Sequence, residues 1–233
     1  YIALFHDRRF LHALGVTGIF VLVGLPITMA IALAFAVALN KGSKHLNAFF
    51  RAVFYAPVVA SVVAVSVVWR YILQKDGLLN SLLAVFGIAG PDWLHDTRYA
   101  LPALMVMTIW RNMGTLMIIF LAGLQAIPEE LKEAAAIDGA SRWQILRKVV
   151  LPISWPTISV LFVFFFVWTW NEYMIPMAFL MSDDVQTIPL ALATLQGQRT
   201  MEATTLASAS LLSIIPTIIF FIIFQRKLSQ GIT

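Results

Sequence analysis

At 233 residues, 60% of them hydrophobic and 12% charged, the chain carries about half the charge of an ordinary soluble domain. It cannot coat itself with a water-facing surface of normal size, so lipid must be most of its solvent, in one membrane domain over 1–233 with no room for a separate soluble enzyme. The absence of cysteine excludes disulfides and cysteine-held metals, and a net charge of +4 that is sorted by side excludes a nucleic-acid patch.

A bilayer core about 30 Å thick needs about 20 apolar residues in a helix. The first run that meets this goes from Leu11 to Leu39, the second from Val53 to Leu73 and the third from Tyr99 to Leu121. After a polar loop at 122–150 come the fourth, Ile153 to Leu180, and the fifth, Thr204 to Phe224. A closed barrel is the other spanning solution, but it needs short alternating strands, and these runs are long and continuously apolar. The predicted fold class is all-α: a polytopic transmembrane helical bundle with five spans and its termini on opposite sides.

One side of such a bundle collects Lys41, Lys44, Arg51, Lys132, Arg142, Arg147, Lys148, Arg226 and Lys227. The other holds Arg8, Arg9, Arg70, Lys75, Arg98 and Arg199, with the acids Asp7, Asp76, Asp92, Asp96, Asp183, Asp184 and Glu202. The positive-inside rule puts the first set, with loop 122–150 and the C-terminus, in the cytoplasm. The chain begins at Tyr1, on the outer side, without a signal-peptide pattern.

The loop itself is helix-forming. Pro128 suits a first helical position, because the N–H it lacks would be unpaired there anyway. Glu129, Glu130 and Glu133 follow in the first turns, where the dipole favours acids. Ala134, Ala135 and Ala136 are strong helix formers without bulk, and Gly139 ends the helix. Ser141 then caps a second helix, Arg142 to Val150, basic and apolar by turns, before Leu151-Pro152 opens the fourth span. On physics alone this could be an amphipathic helix lying on the inner leaflet.

Residue identity points further. Glu133, Ala134, Asp138, Gly139 and Leu151-Pro152, in this spacing, resemble the EAA loop of ABC importer permeases of the carbohydrate, maltose-type branch. The resemblance covers nearly the whole chain. Phe49–Val59, Gly77–Ile88, Asp92–Leu104 and Leu121–Ser141 are similar to one member of the permease pair. Trp170–Leu180, Gln186–Leu192 and Phe224–Thr233 are similar to the other, with the changeover near Leu151–Pro156.

The resemblance implies a coupling helix whose residues Glu133, Ala134, Ala135, Asp138 and Gly139 meet a cytoplasmic ATPase. It implies a second, homologous permease and an extracytoplasmic substrate-binding protein in a bacterial or archaeal plasma membrane. It also implies one more span before Tyr1. The chain has no Gly-x-x-x-x-Gly-Lys-Ser/Thr run, so ATP and its magnesium would be held by the ATPase and no cofactor by this chain. His6, His12, His45 and His95 lack ligand spacing, so no metal is expected.

Two polar clusters are candidates for the path. Thr108, Arg111, Asn112 and Thr115 share one helical face of the third span near the midplane, beside Trp110. In permeases similar to maltose transporters this stretch lines the sugar site. The other reading is an arginine paired to a carboxylate on a neighbouring helix. Trp168, Trp170, Asn171, Glu172 and Tyr173 fall at the outer interface, as an aromatic belt or as an outer gate built from Trp170, Asn171, Glu172 and Tyr173.

The function expected is a permease subunit of an ATP-driven importer for a sugar or related polyol. An ion-coupled secondary transporter would need acidic residues at mid-membrane, and the spans have none there. A membrane-embedded enzyme would need paired carboxylates, a histidine cluster or a Ser/Lys dyad, and no catalytic residue of that kind stands in a span.

Overall fold

In the computed structural model, residues 6–40, 44–180, 185–197 and 203–230 are described. Lys41, Asp183, Asp184, Arg199, Glu202 and the end of the tail lie outside them. All regular structure among the described residues is helical.

The first span is α1, Arg8–Asn40, and it packs along α5, Thr97–Ala126. Phe20, Val21, Leu25, Leu104, Met107, Leu116 and Met117 are buried in the core that these two helices share. Both helices are longer than the predicted runs, because polar end turns, Arg8–Arg9 of α1 and Thr97–Arg98 of α5, are helical too. Asp96 caps α5 by accepting from the Arg98 N–H at 2.9 Å, one of the donors a helix start leaves orphaned.

The predicted second span, 53–73, is corrected. It is two helices, α2 (Lys44–Val59) and α3 (Val62–Leu73), and the segments on either side of Ala60–Ser61 are bent by 98°. Pro57 removes a backbone donor near the end of α2 and crowds the carbonyl four residues back. Ser61 then takes an extended conformation, φ −55 and ψ 126, which resets the chain. A short helix absent from the sequence reading, α4 (Leu78–Val85), follows α3.

The predicted separate helix at Arg142–Val150 is also corrected. After α6 (Glu129–Ile137), α7 (Arg142–Ile145) runs without interruption through a π turn, Leu146–Val150, into α8 (Leu151–Trp170). Pro152 has no N–H and crowds the carbonyl four residues back, and the wider turn just upstream makes room for it. The predicted fourth span, 153–180, stops short at Trp170. The Asn171 side chain donates to the Val167 carbonyl at 2.8 Å and closes the last turn. Met174–Phe179 forms its own helix, α9, which packs on α3.

Helix α10 (Ile188–Gly197) was not foreseen either. The Ile188 N–H at its start donates to the buried Thr17 hydroxyl of α1 at 2.8 Å. The last span is α11, Ala203–Gln230, packed chiefly on α8. Among the described residues four helices are long and apolar enough to cross a membrane, or five if the bent pair is one span.

Candidate functional site

The polar loop folds as two short elements around a bare corner. Pro128 precedes α6 as its cap rather than as its first helical residue, and Glu129 and Glu130 occupy the first turn. At the other end Gly139 has φ +81, a conformation open to glycine and strained for other residues. The Ala140 N–H bonds to Ala135 O and the Gly139 N–H to Ala136 O, both at 3.0 Å. This pair of bonds is a Schellman stop. Ser141 and Gln144 then form a reciprocal cap: the Gln144 N–H donates to the Ser141 hydroxyl, and the Ser141 N–H to the Gln144 side chain.

No residue of α6 is buried. Glu133, Ala134, Asp138 and Gly139 are exposed and Ala135 is half-buried. A β-carbon on Gly139 would meet nothing within 4 Å. Ile137 is 86% exposed and Trp143 66%, so two large apolar side chains flank the corner uncovered. A cleft of about 460 Å³ opens behind it, lined by Asn40, Gln125, Glu129, Lys132, Glu133 and Arg142 among others. Within it Lys132 Nζ pairs with Glu129 Oε2 at 2.8 Å. The segment α7, the π turn and α8 form one continuous helical rod that begins beside this corner.

The polar face of α5 is divided. Thr108 and Asn112 turn toward α1 and α8, where they line a cavity of about 10 Å³ with Phe20, Thr28, Phe165 and Thr169. That is room for about one water. The Thr108 hydroxyl is buried there without a hydrogen-bond partner. Arg111 and Thr115 are half-buried and are not part of that cavity. Trp110 points elsewhere, against Trp69 of α3 with ring centroids 5.5 Å apart. The aromatic platform and the polar face are therefore not brought together.

Among the described residues Arg111 reaches only the Asn112 side-chain oxygen, at 3.5 Å, the long limit of a hydrogen bond, and its Nε is buried without a partner there. The structure does not supply the carboxylate of the ion-pair reading: among the described residues the ion pairs are His95–Asp92 and Lys132–Glu129.

In the sequence Pro57 could kink the second span; the structure shows a full break at Ala60–Ser61. Gly114, just past the middle of α5, lets α2 approach so closely that a β-carbon there would strike the Phe54 carbonyl. The break lies about 8 Å further along α2, at 1.5 Å per residue. It is therefore at membrane depth. Val59 is 75% exposed, and Ala60 and Ser61 are exposed. Irregular backbone at that depth is stable only inside protein or against a water-filled cavity, not against lipid. Pro57 was the available signal.

In the outer cluster, Trp170 is 6% exposed and its ring N–H donates to the Ser213 carbonyl of α11 at 3.0 Å. Its place is a tie between two spans, whereas Trp168 faces outward. Glu172 Oε1 accepts from the Ile175 N–H at 3.1 Å and so starts α9; Tyr173 precedes that helix, half-buried, and Asn171 is exposed. Arg70 Nη1 reaches the Ala178 carbonyl at 3.4 Å, fastening the far end of α9 to α3.

The sequence pattern described as "Binding-protein-dependent transport system inner membrane component" matches residues 8–233. The chain is 40% identical over 154 residues to the "Probable ABC transporter permease protein YesP" of Bacillus subtilis, covering 65% of this chain and 49% of that protein. It is 35% identical over 159 residues to the "Lactose transport system permease protein LacF" of Rhizobium radiobacter, covering 67% of this chain and 53% of LacF. The chain thus spans about half the length of the curated relatives it matches. Among solved structures, a bacterial ABC transporter involved in the import of the acidic polysaccharide alginate superposes with a TM-score of 0.85 at 21% identity. That overlap covers 98% of this chain and 82% of the other.

Proposed function

The chain belongs to the family of binding-protein-dependent transport system inner membrane components, and from that premise we propose that it is one permease half of an ATP-driven importer for a sugar or related polyol. The relative named for lactose transport supports a carbohydrate substrate. The observation that carries the proposal is the uncovered corner at Gly139, set on a rod that continues as α8. A surface with no buried residue, two exposed apolar side chains and a bare left-handed glycine at its apex is built to be covered by a partner.

That partner is a cytoplasmic ATPase dimer, which binds ATP and magnesium because this chain has no phosphate loop. Glu133, Ala134, Ala135, Asp138 and Gly139 form the contact, and closure of the ATPase shifts the rod as a rigid body. The loop and the C-terminus then lie in the cytoplasm of a bacterial or archaeal cell, with a binding protein delivering substrate from outside.

A homologous second permease covers what this chain leaves open. Only 6% of the central stretch of α11 is buried within the chain, against 44% for α1 and α5. The exposed break at Ala60–Ser61 faces the pathway between the two permeases, and Arg111 and Thr115 contribute its polar wall. An ion-coupled carrier has no support here, since none of the spanning helices α1, α5, α8 and α11 contains an Asp or Glu.

Gly139→Asp tests the proposal in the reconstituted importer. It should abolish substrate-stimulated ATP hydrolysis while the complex still assembles. Hydrolysis that stays coupled to substrate would show that the corner is not the contact.

A further inference from the structure

Helix α4 is turned inside out relative to a helix that faces water. Leu78, Leu82 and Val85 stand at i, i+4 and i+7, one face, and that face is uncovered: Leu78 is 69% and Val85 79% exposed. Phe86 and Ile88, on either side of the left-handed Gly87, extend it. The polar residue points inward instead. Asn80 is buried, donates to the Lys75 and Pro91 carbonyls at 3.0 and 2.9 Å, and accepts from the Trp93 ring N–H at 2.6 Å. Gly90 lies so close that a β-carbon would run into the Asn80 amide. Every polar group of that side chain is used, so the orientation of α4 is fixed.

Its level in the bundle is fixed too. Trp93 packs edge-on against Tyr99, in the first turn of α5, with ring centroids 5.6 Å apart. Lys75, Asp76, Asp92, Asp96 and Arg98 all lie in the turns beside α4 or at the start of α5, and Arg70 lies in the last turn of α3. Exposed Tyr71 and Tyr99 stand at the same end. Charges and amphipathic rings at the end of an apolar span mark the headgroup zone.

We propose that α4 is an interfacial anchor whose Leu78–Leu82–Val85 face is buried in the acyl-headgroup boundary of the leaflet opposite the Gly139 corner. The occupant is lipid because the face offers hydrocarbon from Leu78, Leu82 and Val85, with Ser81 the one polar side chain among them. A protein interface would carry about one hydrogen bond per 100–200 Å², whereas the one hydroxyl of this face, Ser81, is already turned back to donate to the Gly77 carbonyl at 3.0 Å. Helices with one apolar face and charged flanks bind bilayers in this way. The anchor also holds the far end of α3, and through Asn80 and Trp93 the start of α5, at one depth.

The chain has no cysteine, so single cysteines can be placed without other changes. Nitroxide labels at Leu78→Cys, Leu82→Cys and Val85→Cys are compared with Gln74→Cys, an exposed position at the end of α3, in the assembled importer in a lipid bilayer. Lipid burial gives frequent oxygen collisions and a loss of nickel-chelate collisions at all three sites relative to Gln74. Nickel collisions as frequent as at Gln74 would mean water or a binding-protein surface and overturn the proposal. Loss of both kinds of collision would mean that protein, such as a second permease, covers α4, and would overturn it too.

Discussion

Gly139 and Thr108 separate strain from contact. Gly139→Ala places a β-carbon in a left-handed conformation at a cost of about 1–2 kcal/mol, but into open space. It should lower thermal stability slightly and keep coupled ATP hydrolysis, where Gly139→Asp loses it. If alanine uncouples as fully as aspartate, the corner acts through its backbone shape rather than its surface. The Thr108 hydroxyl is buried and unpaired, a burden of about 1–3 kcal/mol. Thr108→Val should therefore melt no lower than the parent. A fall in transport affinity without a fall in melting temperature would assign that hydroxyl to the substrate. Arg111→Ala should reduce transport efficiency about tenfold, equivalent to about 1.4 kcal/mol, with Arg111→Lys recovering part of it. A loss confined to protein yield would make Arg111 structural.

Between elements, the closest approach is α2 on α5 at Gly114. Gly114→Leu should push α2 away, since the Phe54 carbonyl stands where the first side-chain atom would go. The expected readout is a drop of several degrees in the melting temperature of the detergent-solubilised protein; an unchanged value would mean that α2 moves freely. The spans were legible in the sequence because twenty apolar residues in a row admit few other structures. So was the stop at Gly139. The breaks were not. Hydropathy runs unchanged through Ala60–Ser61, and the ends there are set by Pro57 and by the conformation of Ser61. At Trp170 the stop depends on Asn171 folding back on Val167 and on Glu172 starting α9, local bonds that a hydropathy window averages away. Residue spacing puts Thr108, Arg111, Asn112 and Thr115 on one side of α5, but the division between a buried cavity and an open flank depends on how α1 and α8 pack.

On the scale of the whole molecule, α1 and α5 form the stable pair, and α8 joins them to the Gly139 corner as a single rod. The family match runs through Leu151–Pro156, and the helix there is continuous. The identity of whatever touches the corner decides the function of the whole molecule. Ala134→Cys in this cysteine-free chain, treated with a short thiol-directed cross-linker in the assembled importer in sealed vesicles, gives the most direct answer. The expected product is an adduct with the ATPase subunit, with the cysteine protected from reagents added on the extracytoplasmic side. Labelling from that outer side, or reaction with lipid-borne reagents alone and no ATPase adduct, would contradict it.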